Sequence, residues 1–274
     1  MDNLAKARRF QELHRGPKLL VVINSWDAAS ARVFEEAGAQ AVGTGSAGIA
    51  FAHGYPDNER IPREVILDAT REIVNAVEVP VTADILTGLG NTVDEVVETV
   101  KEVIAMGASG INIEDATDDG PRLFDVERQV EKIAAIAKAV KASGIPIVIN
   151  ARTDSYWLKI GDATTQLRTS IERANRYREA GASCLFVPAV TDKVAIKTLV
   201  QEIQGPINVL TVPGCPPIPE LEQLGVRRVS EGSGPMRATM GLARRIAQEL
   251  LSTGTYKTFH EGAVPYPEAN KLFE

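Results

Sequence analysis

The sequence has little cysteine and no long apolar run. Only two cysteines occur among 274 residues, Cys184 and Cys215, and they lack the C-x-x-C spacing of zinc or redox sites. This excludes a disulfide framework and predicts two reduced thiols. No apolar stretch approaches the roughly 20 residues that a membrane-spanning helix needs. No membrane association is therefore expected.

The chain also lacks an excess of positive charge. Thirty Lys and Arg residues stand against thirty-six Asp and Glu residues, a net charge of −6. Nucleic acid is not an expected partner, because no positive surplus is available to neutralise a phosphate backbone. The first ten residues are charged and amphipathic rather than basic and then apolar, which predicts no secretory signal and a cytoplasmic location.

Short β-branched runs alternate with amphipathic stretches along the chain, with Gly, Pro, Asp or Asn at the joins. This alternation is typical of βα units and parallel strands. The runs predicted as strands are residues 19–24, 41–45, 79–84, 110–114, 146–150, 183–187, 207–210 and 227–230. The helical patterns are residues 28–37, 63–76, 93–106, 126–143, 163–180, 192–203, 218–224 and 235–251.

Eight βα units in a chain of this size predict a (β/α)₈ TIM-type barrel rather than an open doubly wound sheet. No Pro- or Ser-rich linker divides the chain, so residues 1–274 are predicted to form one domain. A helix over residues 4–14 is expected to close the barrel floor, and residues 257–273 to form a short helix and a Pro-broken tail. Left-handed helix C-caps are predicted at Gly38, Gly107, Gly181 and Gly225.

Acidic residues follow two neighbouring predicted strands, at the barrel end where active sites of this fold lie. Asp84 ends the third strand and Glu114 ends the fourth. Two close carboxylates repel each other unless a cation lies between them, and hard oxygen ligands suit Mg²⁺ or Mn²⁺. The pair therefore predicts a metal site, although either acid alone could instead cap the helix that follows it.

Arg152 follows the apolar fifth strand, and a guanidinium there needs an anion, for which a carboxylate is the best geometric match. Its partner is either a substrate carboxylate or a protein group, Asp154 or Glu114. The glycine-rich residues 43–48 offer consecutive N–H groups for an oxyanion or carboxylate, or they form a plain strand-to-loop turn.

The histidines give a weaker signal. His14 and His260 are expected in solvent, near the end of the first helix and in the tail. His53 and Asp57 lie in the loop that follows the second strand and its exit. Each either approaches the barrel mouth or serves the loop itself, and the sequence leaves both alternatives open.

Six motifs follow one another along nearly the whole chain. They are Asn24-x-Trp26-Asp27-x-x-Ser30-Ala31, Gly43-Thr44-Gly45-Ser46, Gly54-Tyr55-Pro56-Asp57, Thr82-Ala83-Asp84 with Gly88-Leu89-Gly90, Asn112-Ile113-Glu114-Asp115, and Asn150-Ala151-Arg152-Thr153-Asp154. In this order they resemble the isocitrate lyase and phosphoenolpyruvate mutase superfamily. The resemblance implies a (β/α)₈ barrel that binds a small 2-oxo or 2-hydroxy carboxylate through Mg²⁺. It also implies a homo-oligomer, a dimer or tetramer, whose last helices pack on a neighbouring subunit.

The resemblance assigns a role to each matching residue. Asp84 is the expected direct metal ligand, Glu114 the acid that holds metal-bound water, and Arg152 the clamp on the substrate carboxylate. Asp57 is the expected acid beside the scissile bond. The remaining expected substrate contacts are Trp26, Thr44, Gly45 and Ser46.

Two departures from the family pattern narrow the expected activity. Leu86 stands where members usually carry a second acid, two residues after the first, which predicts weaker metal binding. The segment 116–122, which corresponds to the family's lid, has neither the cysteine of the isocitrate and methylisocitrate lyases nor the lysine of the phosphonate enzymes. Arg122 is the only cation in that segment.

The expected function is therefore a Mg²⁺-dependent lyase that cleaves a C–C bond of an oxaloacetate-like acid through an enolate. Three alternatives stay open. The first is a P–C bond enzyme, either a phosphonopyruvate hydrolase or a phosphoenolpyruvate mutase. The second is a phosphosugar barrel that uses Gly232-Ser233-Gly234 as a phosphate site. The third is a non-catalytic protein that binds 2-oxo acids.

Overall fold

A closed barrel of eight parallel strands forms the centre of the protein in our computed structural model, which describes residues 1–57, 61–117 and 119–274. Each strand pairs with its sequence neighbours, and β8 pairs with β1 to close the ring. The strands are β1 (Leu20–Ser25), β2 (Val42–Thr44), β3 (Val81–Asp84), β4 (Gly110–Ile113), β5 (Val148–Arg152), β6 (Cys184–Val187), β7 (Ile207–Leu210) and β8 (Arg228–Ser230). The predicted (β/α)₈ barrel is confirmed, and each strand overlaps its predicted run.

Helices connect the strands and surround the barrel. They are α1 (Asn3–Arg15), α2 (Ala28–Glu36), α3 (Ser46–Ala52), α4 (Arg63–Ala76), α5 (Val93–Met106), α6 (Val126–Ser143), α7 (Ala163–Glu179), α8 (Lys193–Glu202), α9 (Ile218–Leu224), α10 (Gly234–Ser252), α11 (Lys257–His260) and α12 (Tyr266–Lys271). The predicted left-handed conformation is confirmed, with positive φ at Gly38, Gly107, Gly181 and Gly225. No helix in the described ranges is long and apolar enough to cross a membrane.

Helix α3 is a correction to the sequence analysis, which interpreted residues 43–48 as an anion-binding run of N–H groups or a plain strand-to-loop turn and predicted no helix there. Its first five residues are buried, so it has no polar face and lacks the amphipathic period that identifies a surface helix. Gly45 is its N-cap residue, and the backbone N–H of Ile49 donates to the Gly45 carbonyl oxygen. The exit of β2 is therefore a rigid helix start beside the barrel mouth.

The helix α1 closes the barrel floor, as predicted. Phe10 is fully buried there, and a Cβ added at Gly110 would lie 2.7 Å from its ring, so the glycine makes room for the phenyl group. The expectation that His14 is solvated is wrong. His14 is buried, its ring packs edge-on against Phe10, and its Nδ1 lies 2.7 Å from the Phe10 carbonyl oxygen.

Strand register places a ladder of polar side chains inside the barrel. Asp84 on β3 is level with Asn112 on β4, and Asn112 is level with Asn150 on β5. The Nδ2 of Asn150 donates to Oδ1 of Asn112 over 3.1 Å, and the Nδ2 of Asn112 donates to Oδ1 of Asp84 over 3.0 Å. The hydrogen bond from Asn112 on the neighbouring strand therefore fixes the orientation of the Asp84 side chain.

Candidate active site

A cavity of about 360 Å³ opens at the C-terminal ends of the strands. Most of the site residues expected from the sequence line it, namely Thr44, Gly45, Ser46, Asp57, Asp84, Glu114 and Arg152. A wider cleft of about 700 Å³ adjoins the cavity and shares Thr87 and Thr117 with it. Two arginines of that cleft, Arg63 and Arg122, already form ion pairs with acids near the surface. The narrower cavity, where buried carboxylates converge, is therefore the candidate active site.

Trp26 and His53 do not line this cavity. The Trp26 ring packs edge-on against Phe34 at 6.2 Å between centroids, and its backbone N–H donates to the hydroxyl of Ser30. His53 is exposed at the C-terminal cap of α3. Trp26 turns toward α2 and contributes to its packing, and its expected substrate contact stays a prediction.

Arg152 is bound by both of the protein carboxylates that the sequence offered as alternatives. Its Nε lies 2.7 Å from Oδ1 of Asp154, and its Nη1 lies 2.8 Å from Oε1 of Glu114. The rings of Trp157 and Phe186 lie 5.6 and 5.7 Å from the guanidinium carbon. Among the described residues, no hydrogen bond is formed by Nη2 of Arg152, which leaves that N–H group for a ligand.

The Asp84 carboxylate is held by one donor on each oxygen. Oδ2 accepts from the backbone N–H of Ser46 over 3.0 Å, and Oδ1 accepts from the Asn112 amide. The backbone N–H of Asp84 in turn donates to the Thr44 hydroxyl over 2.8 Å. Each carboxylate oxygen keeps a lone pair for a further partner.

The backbone N–H groups expected to form a substrate cradle are partly used within the protein. The N–H of Gly45 donates to the carbonyl oxygen of Ser25 over 3.0 Å, and the N–H of Ser46 donates to Asp84. The N–H groups of Gly45 and Ser46 are therefore already paired within the protein, and the substrate contact expected at Thr44, Gly45 and Ser46 stays a prediction. The backbone of this segment positions Asp84.

Burial and like charges raise the pKa values of three acids in the cavity. Burial raises the pKa of Glu114 well above its usual value; the Arg152 charge opposes this, and the charges of Asp154, Asp84 and Asp57 add to it. Burial, and then the Asp84 charge, raise the pKa of Asp57. Burial raises the pKa of Asp154 to about 6. This crowding of carboxylates disfavours their ionised forms.

Asp84 and Glu114 fit a divalent cation. Burial is the main cause of the raised pKa of Glu114, and a cation between the two acids would offset both this burial and the smaller effect of the Asp84 charge. In the described part of the chain, no group of three or more His, Cys, Asp or Glu side chains is arranged to hold a metal ion. Two carboxylates nevertheless suit Mg²⁺, which keeps several waters and binds proteins through one or two carboxylates.

Leu86 lines the same cavity and has an unusual backbone conformation. Its φ is +53°, its side chain is 7% exposed, and its carbonyl oxygen accepts from the N–H of Glu114 over 2.9 Å. A non-glycine residue is uncommon in this region, where Asn and Asp are enriched. An apolar side chain therefore occupies a place that suits an acid in both conformation and position.

Sequence reasoning missed several residues of the cavity wall. These are Asn112, Asn150, Trp157, Phe186, Arg228, Glu231 and Arg237. The asparagines lie within strands rather than at their exits, so they are inward-facing residues that only the register reveals. Glu231 directly follows β8, and its position at a strand exit makes it a candidate in this fold, although the sequence assigned it no role.

Comparison with known proteins gives a consistent result. The family model described as phosphoenolpyruvate phosphomutase matches residues 10–251. An uncharacterised protein of Mycobacterium tuberculosis is 35% identical over 241 residues, which cover 88% of each chain. The 2-methylisocitrate lyase of Escherichia coli is 31% identical over 252 residues, covering 87% of this chain and 82% of that enzyme.

Solved structures share the fold. A Burkholderia cenocepacia structure, 36% identical, superposes with a TM-score of 0.92 over 99% of this chain and 96% of that chain. Oxaloacetate acetylhydrolase in complex with its product oxalate is 21% identical and superposes with a TM-score of 0.88 over 99% of this chain and 94% of that chain. At that identity, the second likeness concerns the fold alone.

Proposed function

Because the chain belongs to the isocitrate lyase and phosphoenolpyruvate mutase superfamily, we propose that it is a divalent-metal-dependent lyase. Members of this superfamily are lyases and mutases that act on small carboxylates. The proposed reaction is cleavage of a C–C bond in an oxaloacetate-like 2-oxo or 2-hydroxy acid, through an enolate. The observation that carries the proposal is the convergence of Asp84, Glu114 and Arg152 in one buried cavity.

Asp84 and Glu114 would hold the proposed cation, Mg²⁺ or Mn²⁺. When bound, such an ion supplies positive charge that stabilises the substrate oxygen on which negative charge develops. Asn112 and the N–H of Ser46 keep the Asp84 carboxylate in one orientation over 3.0 Å each. A carboxylate held in this way needs little rearrangement when its ligand arrives.

Arg152 binds the substrate carboxylate and fixes the direction of the bond to be broken. Two of its nitrogens are already paired with Asp154 and Glu114, so the guanidinium has one orientation. The buried ring of Phe186 and the half-exposed ring of Trp157 flank the guanidinium on two sides. The substrate is therefore oriented before the reaction begins.

Asp57 would exchange a proton with the reacting group near the mouth of the cavity. Burial raises its pKa, so a fraction of its carboxyl groups holds a proton at higher pH than a solvated aspartate does. The ideal pKa of an acid–base catalyst lies near the working pH, and this shift is in that direction. Asp57 lines the same cavity as Asp84 and Arg152.

We also propose that the protein is a homo-oligomer whose last helices pack on a neighbouring subunit. No residue of α10 is buried, although the helix and the tail beyond it carry exposed apolar side chains. These are Met240, Leu242, Leu250, Leu251, Tyr256, Phe259, Val264, Tyr266 and Phe273. Leu251, 89% exposed, is the most informative position. The Leu251→Asp variant should shift the mass measured by light scattering toward a smaller species, and an unchanged mass contradicts this interface.

A panel of 2-oxo and 2-hydroxy acids, assayed for carbonyl-fragment or CO₂ release with Mg²⁺ and with Mn²⁺, tests the proposed function. Release from an oxaloacetate-like acid, abolished by chelation and by Asp84→Asn, supports it. Metal-dependent release of phosphate or conversion of phosphonopyruvate would favour a P–C bond enzyme instead. Tight binding of 2-oxo acids without turnover of any of them would favour a binding protein.

A further inference from the structure

A half-buried acid that the proposed mechanism does not use lines the cavity on its other side. Glu231 directly follows β8, whereas Glu114 directly follows β4 and Arg152 ends β5. In a closed ring of eight strands β8 lies opposite β4, so Glu231 faces the site of Glu114 across the barrel mouth. A substrate bound by Arg152 would therefore have an acidic side chain on each side of it.

The position of Glu231 is fixed by the barrel. The Oδ1 atom of Asn24 accepts from the backbone N–H of Glu231 over 3.1 Å and from that of Gly232 over 2.9 Å. The Nδ2 atom of Asn24 donates to the carbonyl oxygen of Thr44 over 2.9 Å, which ties this loop to β2. The start of the β8 loop is thus attached to the strands that carry the rest of the site.

No ion pair accounts for the presence of the Glu231 carboxyl group at this place in the cavity. Its Oε2 atom is buried without a hydrogen-bond partner among the described residues. Arg228, three residues earlier on β8, is buried and lines the same cavity. Its Nε and Nη1 atoms also lack hydrogen-bond partners, and no ion pair joins the two side chains in the described part of the chain. A glutamate whose only role was to neutralise Arg228 would contact it, so the orphaned oxygen indicates a partner outside the protein.

We propose that Glu231 is the acid that protonates the enolate carbon after C–C cleavage, an inference that rests on the proposed function. The carboxyl proton of Glu231 is transferred to the carbon, where a C–H bond forms as the enolate electrons return to a C=O double bond. The resulting carboxylate regains a proton from solvent water. The lid segment, residues 116–122, contains no cysteine or lysine that could supply this proton.

The environment of Glu231 keeps it protonated at neutral pH. Burial raises the pKa of this carboxyl to about 8, against smaller opposing effects of backbone hydrogen bonds and of the Arg228 charge. The neighbouring strands β1 and β7 bring only uncharged residues to this part of the cavity, Asn24 and Leu210. The charged residues that line the cavity with Glu231 are Asp57, Asp84, Glu114, Arg152, Arg228 and Arg237.

Exchange of the pyruvate methyl protons in D₂O tests this role, because it is the reverse of enolate protonation. With Mg²⁺ present, we expect the wild type to exchange these protons, followed by NMR, and Glu231→Gln to exchange them at least about 100-fold more slowly. Glu231→Asp should restore part of the rate. Glu202→Gln, at an exposed glutamate of α8, is the matched control and should exchange at the wild-type rate.

The pH profile and oxalate binding separate a proton-transfer role from a structural one. Exchange by the wild type should increase with pH as the carboxylate form accumulates, with a midpoint near pH 8 and a plateau above it. This pH-dependent increase should be absent from the residual rate of Glu231→Gln. Oxalate affinity, measured by calorimetry with Mg²⁺, should change less than about threefold in Glu231→Gln. A large loss of oxalate affinity in this variant would indicate a structural role and overturn the proposal.

Three further results overturn the inference. One is proton exchange by Glu231→Gln at the wild-type rate. Another is loss of exchange in Asp57→Asn while Glu231→Gln still exchanges, which would assign the proton to Asp57. The third is a wild type that binds oxalate with Mg²⁺ but does not exchange pyruvate protons, which leaves the proposed function standing. Failure of the wild type to bind oxalate at all contradicts the proposed function itself.

Discussion

Leu86→Asp places a carboxylate at the one position where the metal site departs from the family pattern. Leu86 lines the cavity two residues after Asp84, and its φ of +53° is a conformation that aspartate adopts more readily than leucine. A carboxylate there can accept hydrogen bonds from water on a bound cation. We therefore expect the substitution to strengthen Mg²⁺ binding.

Leu86→Asp changes the stability of the protein in opposing ways. Backbone strain of this kind costs on the order of 1–3 kcal/mol, and aspartate relieves part of it. Loss of a buried leucine side chain, 7% exposed here, costs about 1.5–3 kcal/mol. The new carboxylate also joins a crowded group of acids, which disfavours its ionised form, so without Mg²⁺ the variant should be less stable than the wild type and Mg²⁺ should restore part of the difference. The gain in metal affinity should be about 10- to 100-fold, the usual value of such an outer-sphere partner.

Calorimetric titration of Mg²⁺ in the presence of oxalate measures this gain, and urea unfolding measures the stability of the same protein. Leu89→Asp is the matched control, because Leu89 has the same φ of +53° and is 8% exposed but lies outside the cavity. Only Leu86→Asp should bind Mg²⁺ more tightly. An unchanged or lower affinity in a folded Leu86→Asp protein would mean that this side chain does not face the cation, or that the metal site lies elsewhere.

Three other predictions follow from buried charges and thiols. Arg152→Gln should lower the free energy of unfolding in urea by about 3–5 kcal/mol at neutral pH, because Glu114 loses its counter-charge. The loss should be smaller at pH 5, and equal losses at the two pH values contradict this. Iodoacetamide should leave oxalate binding unchanged, since burial raises the pKa of Cys184 to about 11 and also raises the pKa of Cys215. Inactivation by iodoacetamide from which substrate protects the protein would refute this prediction. The pKa of Glu231 is about 8 in the folded protein against 4.5 ordinarily, so between these pH values the folded state binds a proton that the unfolded state has lost. The melting temperature of the wild type should therefore fall from pH 4.5 to 8 more steeply than that of Glu231→Gln. Parallel curves would contradict this.

The barrel was predictable from the sequence because each strand and helix carries its own local pattern. The same pattern predicts where β3, β4 and β5 end, so Asp84, Glu114 and Arg152 were assigned to one rim of the barrel. The structure places these three residues in one cavity. The paired partners of Arg152 were predicted only as alternatives. Both contacts are made because the guanidinium has nitrogens on two edges, a geometry that sequence spacing does not specify.

Features set by tertiary packing were not predictable. Helix α3 is buried and therefore shows no amphipathic period. Trp26 turns toward Phe34 instead of the cavity, a choice between two neighbours that its position in the chain does not reveal. His14 is buried against Phe10 because α1 packs across the barrel floor, although a histidine at a helix end is usually solvated.

Binding of oxalate with and without Mg²⁺ is the most direct test of the metal-assisted site at Asp84, and calorimetry measures it. The wild type and Asp94→Asn, a control at an exposed aspartate of α5, should bind oxalate with Mg²⁺ and lose binding when a chelator is added. Asp84→Asn, which keeps the shape of the side chain but removes its charge, should lose at least about 100-fold in affinity. Oxalate binding that is independent of the metal, or undiminished in Asp84→Asn, would contradict the account.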